Sequence, residues 1–274
     1  MLSRNSLLLV VAYLSLMPDH FNAAQQSKLT GSGCAPRGAL PTNIRVTAIP
    51  SPYYAEGTQS FFGDLLEALK GKTGINYTVT SRPDLGYGSP DANGSFEGSL
   101  IGELVNGHAD LAGADLTITA ERSAVVDFLV PYAQYQLQIL ANAFFGLDED
   151  TQYLIQDTAD FTFLKNSKNA TLSAIAANVE LGRRSGSIVE DDVAGCAKVM
   201  MGNYAYVAES MFPERAIVAN PQKLVRAGGT LGIFFLALAV QQDSPLRGIL
   251  NHALVQLAED GLIQDLLAKY NVLT

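Results

Sequence analysis

Residues 113–132, with the sequence GADLTITAERSAVVDFLVPY, predict a short apolar strand that leads directly into a helix. The strand ends in DLTIT (115–119), and the predicted helix has Arg122 in its first turn and Asp127 near its end. Thr117 and Arg122 therefore lie on either side of one turn, which places a hydroxyl, free backbone groups and a guanidinium around the same spot. This combination suits a free amino acid, because oxygen atoms can surround its ammonium while the planar guanidinium donates two hydrogen bonds to its carboxylate.

The chain upstream of this segment alternates between strand-like and helix-like patterns. Runs of alternating β-branched residues predict strands, and leucines at helical spacing predict amphipathic helices. This βαβ-like alternation indicates a parallel sheet flanked by helices, and therefore the α/β class. The predicted strands cover residues 44–49, 75–80 and 109–114, and the predicted helices cover residues 62–70 and 99–106.

The downstream half begins with a further predicted strand at 137–141. Residues 144–179 then carry many polar side chains and no apolar run near the length of about 20 residues that a membrane span needs. Regular patterns return with a helix predicted over 188–201 and a strand over 204–208, which leads directly to Glu209. Two C-terminal helices are expected to complete the fold.

Three stretches of the sequence share the motifs of one known family: YGSPDANG (87–94), GSLIGELVNGHAD (98–110) and the segment 113–132. Together they resemble the agonist-binding motif of ionotropic glutamate receptors and of their bacterial relatives, the extracellular solute-binding proteins for polar amino acids. The resemblance covers residues 44–140 with few gaps and continues more weakly from residue 182 to the end.

The resemblance implies an α/β fold of the type II periplasmic-binding-protein class, which is a two-lobed clamshell with two interlobe crossovers. Lobe 1 is expected to contain residues 44–135 and 237–274, and lobe 2 residues 136–236. A ligand between the lobes would favour the closed state, because only closure satisfies all of its charges.

The family pattern also implies roles for individual residues. Arg122 would bind the α-carboxylate of the ligand, and Thr117 would contribute its hydroxyl to the ammonium. Asp115 stands where the receptors usually carry proline, at the position whose backbone carbonyl accepts from the ammonium. Ser187 would open a helix whose free N–H groups complete the carboxylate site, and Glu209 would be the acidic partner of the ammonium. The alternatives are an exposed Arg122 paired with Glu121 or Asp127, a simple helix cap at Ser187 and a solvated Glu209.

Two departures from the family pattern bear on which amino acid binds. Ile188 replaces the threonine that provides a hydroxyl for the distal carboxylate in glutamate-type receptors, whereas glycine-type receptors have an apolar β-branched residue there. The substitution predicts a preference for glycine or a small neutral amino acid over glutamate, unless Arg183 and Arg184 supply the lost partner.

The second departure concerns the aromatic side chain that covers the ligand in many receptors. Its position falls near Thr58 in this sequence. Tyr53, Tyr54 or Phe61 could substitute for it if the loop is displaced.

The N-terminus has the features of a signal peptide over residues 1–24. Arg4 provides a basic start, residues 7–16 form an apolar run too short for a membrane span, and the small residues 22–24 offer a cleavage site. Residues 25–43 are rich in glycine, serine and proline and predict a mobile leader. The mature protein is therefore expected to be secreted and extracellular, without a membrane span.

Other features agree with a secretory route. Sequons predict glycosylation at Asn76, Asn93 and Asn169, and Cys34 and Cys196 could form a disulfide in an oxidising compartment. The net charge of −9 argues against a nucleic acid partner and against an anionic membrane surface. The spacing of residues indicates no metal site, no phosphate loop and no cofactor.

The sequence therefore predicts reversible binding of a free amino acid without any catalysed reaction. One alternative is a ligand-binding fragment of a ligand-gated channel whose pore lies elsewhere. Another is an enzyme, since some dehydratases and lyases use this fold and a fold does not by itself determine a function.

Overall fold

The strands of the protein form one mixed sheet. The computed structural model describes residues 41–51, 59–91, 93–156 and 158–270. The predicted signal peptide, Cys34, Tyr53, Tyr54 and Thr58 lie outside these residues. Within them, the strands are β1 (Asn43–Ala48), β2 (Asn76–Ser81), β3 (Leu111–Thr117), β4 (Val126–Phe128), β5 (Ala133–Asn142), β6 (Gln152–Leu154), β7 (Tyr204–Glu209) and β8 (Leu224–Gln241).

Helices pack against this sheet and include a counterpart of each of the six that the sequence predicts. They are α1 (Phe61–Thr73), α2 (Leu100–Val105), α3 (Ala120–Ser123), α4 (Ala159–Asn166), α5 (Ala170–Gly182), α6 (Asp192–Met201), α7 (Met211–Ala219), α8 (Leu246–Glu259) and α9 (Leu262–Lys269). Among the described residues, no helix has both the length and the apolar character needed to cross a membrane.

The sheet has the strand order β2-β1-β3-β8-β5-β7-β6, and β4 pairs with β8 outside this path. The predicted parallel pairing is correct for β2, β1 and β3. It is wrong for the centre of the sheet, where the long strand β8 runs antiparallel to β3, β4 and β5. The alternation of strands and helices upstream could not show this, because β8 enters the sheet from the far end of the sequence.

Four clusters of buried apolar side chains form the interior. The buried members of two clusters come from the chain up to Tyr135 and from Leu236 onward. Those of the other two come from residues between Leu137 and Leu224. Strands β5 and β8 are the elements that contribute to both sets, and Phe234 packs against a cluster of each. The two sets of apolar clusters therefore meet along these two strands.

The segment 113–132 differs from its prediction after the turn. Strand β3 ends at Thr117, two residues before the end of the predicted DLTIT stretch, and the Thr119 side chain caps α3 by accepting from the backbone N–H of Arg122. The helix stops at Ser123, and Asp127 lies in strand β4, which pairs with β8 through residues 239–241. The expectation that the helix extends to Asp127 is therefore wrong, because β-branched and aromatic side chains here pair with a neighbouring strand.

The helix predicted over residues 188–201 begins later than expected. Asp191 is its N-cap and accepts from the backbone N–H of Ala194, so that α6 starts at Asp192. The stretch 144–179, in which the sequence indicated no regular element, contains β6, α4 and α5. The two helices add to the helical cover of the downstream half.

The loop between β2 and α2 is held closely against α2. Gly86 forms a bridge with Ser99, and Gly88 has a φ of 122°, a conformation that favours glycine. A side chain at Gly102, inside α2, would overlap the backbone carbonyl of Phe96 in the same loop. The two glycines thus let the loop approach the helix, and this fixes the position of the Gly88 carbonyl.

We predict opposite effects for alanine at two helical glycines. Gly102→Ala should lower the free energy of unfolding by about 1–3 kcal/mol or more, because the added methyl group overlaps rigid backbone. Gly248→Ala in α8 meets no atom within 4 Å and should raise it by about 0.5–1 kcal/mol, because alanine favours the helix. Urea unfolding measures the free energy of unfolding of both variants. If the two substitutions change it by the same amount, the close approach of the loop to α2 is contradicted.

Candidate functional site

Arg122 is buried, with only 4% of its surface exposed, although it belongs to the one-turn helix α3. Its Nε donates to the carbonyl of Gly88 at 2.8 Å, and its Nη1 donates to the carbonyl of Thr117 at 2.9 Å. The alternative of an exposed arginine paired with Asp127 is wrong, since Asp127 pairs with Arg247 at 3.2 Å. The two carbonyls hold the guanidinium in place, but they do not neutralise its charge.

Thr117 is also buried, and its hydroxyl lies in a chain of hydrogen bonds. Its Oγ1 is 3.2 Å from the hydroxyl of Tyr135, which in turn donates to Asp160 at 2.7 Å. Because the single phenolic proton is given to Asp160, the Thr117 hydroxyl must donate to Tyr135 rather than accept from it. The oxygen of Thr117 keeps its lone pairs, which leaves the expected contact with an ammonium feasible.

The side chain of Asp115 faces the same region, which sequence alone could not establish. It accepts a hydrogen bond from the hydroxyl of Tyr87 at 3.0 Å. Burial raises the pKa of this carboxyl to about 6, although its hydrogen bonds and the charge of Arg122 act in the opposite direction. Asp115 therefore adds a buried acid to the site as well as its backbone carbonyl.

Glu209, at the end of β7, is a further acid of this site. Its carboxyl accepts no hydrogen bond from the residues that the structure describes. Burial raises its pKa well above the usual value, and repulsion from Asp160, Asp115 and Asp192 raises it further. A carboxyl group that is enclosed and unpaired is costly, so the predicted role of Glu209 as the partner of a cation agrees with its surroundings.

Asp160 and Asp192 also belong to the site, and the sequence analysis did not single them out. Asp160 is buried in the first turn of α4, and burial raises its pKa to about 6. Asp192 begins α6 and accepts from the hydroxyl of Tyr206 at 2.7 Å and from Gln156 at 3.2 Å. The burial of Asp160 could have been predicted from the sequence. It lies four residues before the apolar Leu164 and therefore on the same, buried face of the helix.

These side chains surround a cleft of about 410 Å³, which is within the range typical of small-molecule sites. Its walls come from the loop at residues 86–89, the end of β3, Arg122, Tyr135, the start of α4, Asp192 and the end of β7. A second cavity of about 350 Å³ shares Gly88 and Arg122 with the cleft and has mostly apolar walls, including Ile118, Phe163 and Phe234.

Ser187 and Ile188 are not among the residues that line the cleft. Ser187 is wholly buried, its backbone N–H donates to Gly182 at 3.0 Å, and its Oγ accepts from Gln152 at 2.8 Å. It does not open a helix with free N–H groups, because α6 begins five residues later. Ile188 packs with the apolar cluster behind Ile155. In this structure both residues support the wall of the cleft from behind.

The remaining predicted positions have varied surroundings. Phe61 is fully buried against Phe62 and Tyr132 and does not cover the cleft, so its proposed role is wrong. The three sequon asparagines are exposed, and Asn169 caps α5 through its side-chain oxygen. Cys196 is half-buried with a free thiol, and its suggested partner lies outside the described residues.

Comparison with known proteins gives matches over most of the chain. The family model described as "Ligated ion channel L-glutamate- and glycine-binding site" matches residues 43–144, and the model "Bacterial extracellular solute-binding proteins, family 3" matches residues 95–272. Together they include every residue of the cleft named above.

Individual relatives match shorter stretches. The chain is 44% identical over 82 residues to the human "Glutamate receptor ionotropic, delta-2", which is 30% of this chain and 8% of the receptor. It is 34% identical over 134 residues to the rat "Glutamate receptor ionotropic, kainate 4", which is 45% of this chain and 14% of the receptor. A "Glutamate receptor" of Lymnaea stagnalis is 38% identical over 113 residues, 36% of this chain and 12% of the relative. The chain therefore matches only a small part of each relative.

The fold has a counterpart among solved structures. The structure described as "Drosophila muscle GluRIIB complex with glutamate" superposes with a TM-score of 0.72 at 23% sequence identity, covering 83% of this chain and 98% of the other. This confirms the predicted α/β type II periplasmic-binding fold. With the match of a family model over residues 95–272, the chain belongs to the family that unites the ligand-binding domains of ionotropic glutamate receptors with the family 3 extracellular solute-binding proteins.

Proposed function

We propose that the protein binds a free amino acid reversibly in the cleft of about 410 Å³. The observation that carries this proposal is that one buried guanidinium, Arg122, and the unpaired carboxyl of Glu209 line the same cleft. A zwitterion matches both groups, since its carboxylate can accept two hydrogen bonds from Arg122 and its ammonium can donate to Glu209. The ammonium would also meet Thr117 and the carbonyl of Asp115.

Closure of two lobes around the ligand is part of the same proposal. Lobe 1 would contain residues 44–135 and 237–274, and lobe 2 residues 136–236. Support comes from the apolar clusters, whose buried members divide near these limits, and from the shared strands β5 and β8, which would be the two crossovers. Arg122 and Glu209 then lie on different lobes, so a ligand that contacts both stabilises the closed state.

The cellular context is proposed from the sequence and from the family. A signal peptide over residues 1–24, a secreted mature protein and glycans on Asn76, Asn93 and Asn169 agree with one another. We expect no enzymatic activity, because both matching family models describe ligand-binding proteins. The second candidate function is ligand binding as one part of a ligand-gated channel. It is supported by the match of this chain to the delta-2 receptor, of which it covers only 8%.

The first prediction concerns Arg122. At a hundred times the dissociation constant, the amino acid that binds should stabilise the protein by about 2.7 kcal/mol and raise its Tm by about 5–10 °C. Arg122→Ala should abolish this increase, and Arg122→Lys should retain only part of it because lysine cannot form the two-toothed contact. The measurement is a thermal-shift series with the twenty amino acids.

Arg226 provides the matched control for this experiment, since it is exposed on β8. Arg226→Ala should keep the full ligand-induced increase in Tm. Circular dichroism must show that Arg122→Ala is folded, because the variant also loses the contacts with Gly88 and Thr117 and should be less stable without ligand. Unchanged binding by folded Arg122→Ala would overturn the proposed function.

The second prediction separates binding from stability at Glu209. Glu209→Gln should weaken amino acid binding at least tenfold, because the ammonium loses its charged partner. The same change should raise the free energy of unfolding of the free protein at pH 7.5 by about 1–3 kcal/mol, because it removes a buried, unpaired carboxyl. Calorimetric titration and urea unfolding measure the two effects.

The exposed Glu214 on α7 is the control for this pair of effects. Glu214→Gln should change neither the affinity nor the stability by more than about 0.5 kcal/mol. A Glu209→Gln variant that binds normally would show that the carboxyl does not contact the ligand.

A further inference from the structure

Three aspartates of the cleft share an unusual form of support. Each accepts a hydrogen bond from a tyrosine hydroxyl, which is a neutral donor. A hydroxyl holds a carboxylate oxygen in a fixed position without cancelling its charge. The pairs are Tyr87 with Asp115 at 3.0 Å, Tyr135 with Asp160 at 2.7 Å and Tyr206 with Asp192 at 2.7 Å.

The balance of charge in the cleft is strongly acidic. Four carboxyl groups face the cleft, and Arg122 is the only basic side chain among the described residues that line it. A ligand with one carboxylate and one ammonium would occupy Arg122 and Glu209, yet it would leave the excess of acids unchanged. Buried acids without cationic partners are costly and are retained mainly where they have a function.

Asp160 and Asp192 provide two carboxyl groups for a second cationic group of the ligand. They come from different helices, α4 and α6, and the charge of Asp192 acts on Asp160. Gln156 lies beside them, since its Nε2 donates to Asp192 and to the hydroxyl of Tyr206. One cationic group placed between the two aspartates would relieve their mutual repulsion. The described residues contain no group of three or more candidate ligands for a metal ion, so an organic cation fits better than a metal.

The unpaired carboxyl of Glu209 provides a separate partner for the α-ammonium. It is enclosed, faces the cleft and has no hydrogen-bond partner among the described residues, while Asp115, Asp160 and Asp192 act on it. If the α-ammonium binds Glu209, the aspartate pair stays available for a second amine.

We propose that the preferred ligand is a basic amino acid, with its α-carboxylate on Arg122, its α-ammonium on Glu209 and its side-chain cation between Asp160 and Asp192. The proposal rests on the proposed function and specifies its ligand class. Like the sequence analysis, the proposal predicts weak binding of glutamate. The reason it gives is the acidic lining of the cleft rather than Ile188. It differs from the sequence-based preference for glycine.

The test compares lysine with norleucine, which has the same carbon chain without the amine. By calorimetric titration of the whole secreted protein at pH 7.5, lysine should bind at least tenfold more tightly than norleucine, and glutamate should bind weakest. Asp192→Asn should lower the ratio of lysine affinity to norleucine affinity at least fivefold. The exposed Asp265 on α9 is the control, and Asp265→Asn should change neither affinity.

The outcomes distinguish this inference from the proposed function. If norleucine or glycine binds as tightly as lysine, and Asp192→Asn does not change their ratio, the basic-ligand inference is overturned while amino acid binding stands. If none of the amino acids binds, the proposed function is overturned as well. A folded Asp160→Asn variant with a reduced ratio of lysine affinity to norleucine affinity would give a second confirmation of the aspartate pair.

A pH series provides a further prediction. In the free protein, burial raises the pKa of Asp115 and of Asp160 to about 6, whereas a bound cation favours the ionised carboxylates and lowers these values. Lysine binding must therefore release protons, and its affinity should rise at least tenfold between pH 5 and pH 7.5 and then level off. The groups facing this site are Asp115, Asp160, Asp192, Glu209, Arg122, Tyr87, Tyr135 and Tyr206.

The release of protons can be measured directly. Titrations at pH 6 in two buffers with different ionisation enthalpies should give different apparent heats for lysine and smaller differences for norleucine. Equal heats in both buffers, with an affinity for lysine that does not depend on pH, would contradict a direct contact between the ligand cation and these carboxyl groups.

Discussion

The burial of one guanidinium among carboxyl groups is the constraint on which the rest of the site depends. Arg122 loses its hydration, and carbonyls from the 86–89 loop and from the end of β3 replace only part of it. Those two contacts fix the loop against the strand, and the cap by Thr119 fixes the short helix that carries the arginine. The charge that remains unneutralised faces the acids of the cleft, so the protein holds opposite charges in a position where a ligand of both signs can bind.

Strands β5 and β8 connect the strand that leads to Arg122 with the strand that ends in Glu209. Strand β3, which leads to Arg122, pairs with β8, whereas β7, which ends in Glu209, pairs with β5. The two long strands pair with each other along their length, with an irregularity between Leu137 and Ile139. Leu137 and Ile139 on either side of it also pair with β7, at Glu209 and Val207, so the position of Glu209 depends directly on the path of β5.

Sequence reasoning succeeded where a local pattern was sufficient and failed where distant segments meet. The strand that ends at Thr117, the turn that leads to Arg122 and the strand that delivers Glu209 each depend on a few adjacent residues. Ser187 was misplaced because a single residue, Asp191, offered a better helix cap and moved the start of α6. Asp160 was missed because its importance depends on Tyr135, a residue 25 positions away. No spacing rule connects the two.

The sequence by itself determined the α/β class and the family, and its resemblance to that family predicted Arg122 and Glu209 as the partners of a zwitterion. These follow from short-range periodicity and from a motif whose chemistry is local. Only the tertiary structure decided how many acids share the cleft, which tyrosine supports each of them, and that Ile188 and Phe61 lie away from it. The physical reason is that charge balance and burial depend on which side chains from distant segments share one enclosed volume, and chain packing alone sets that.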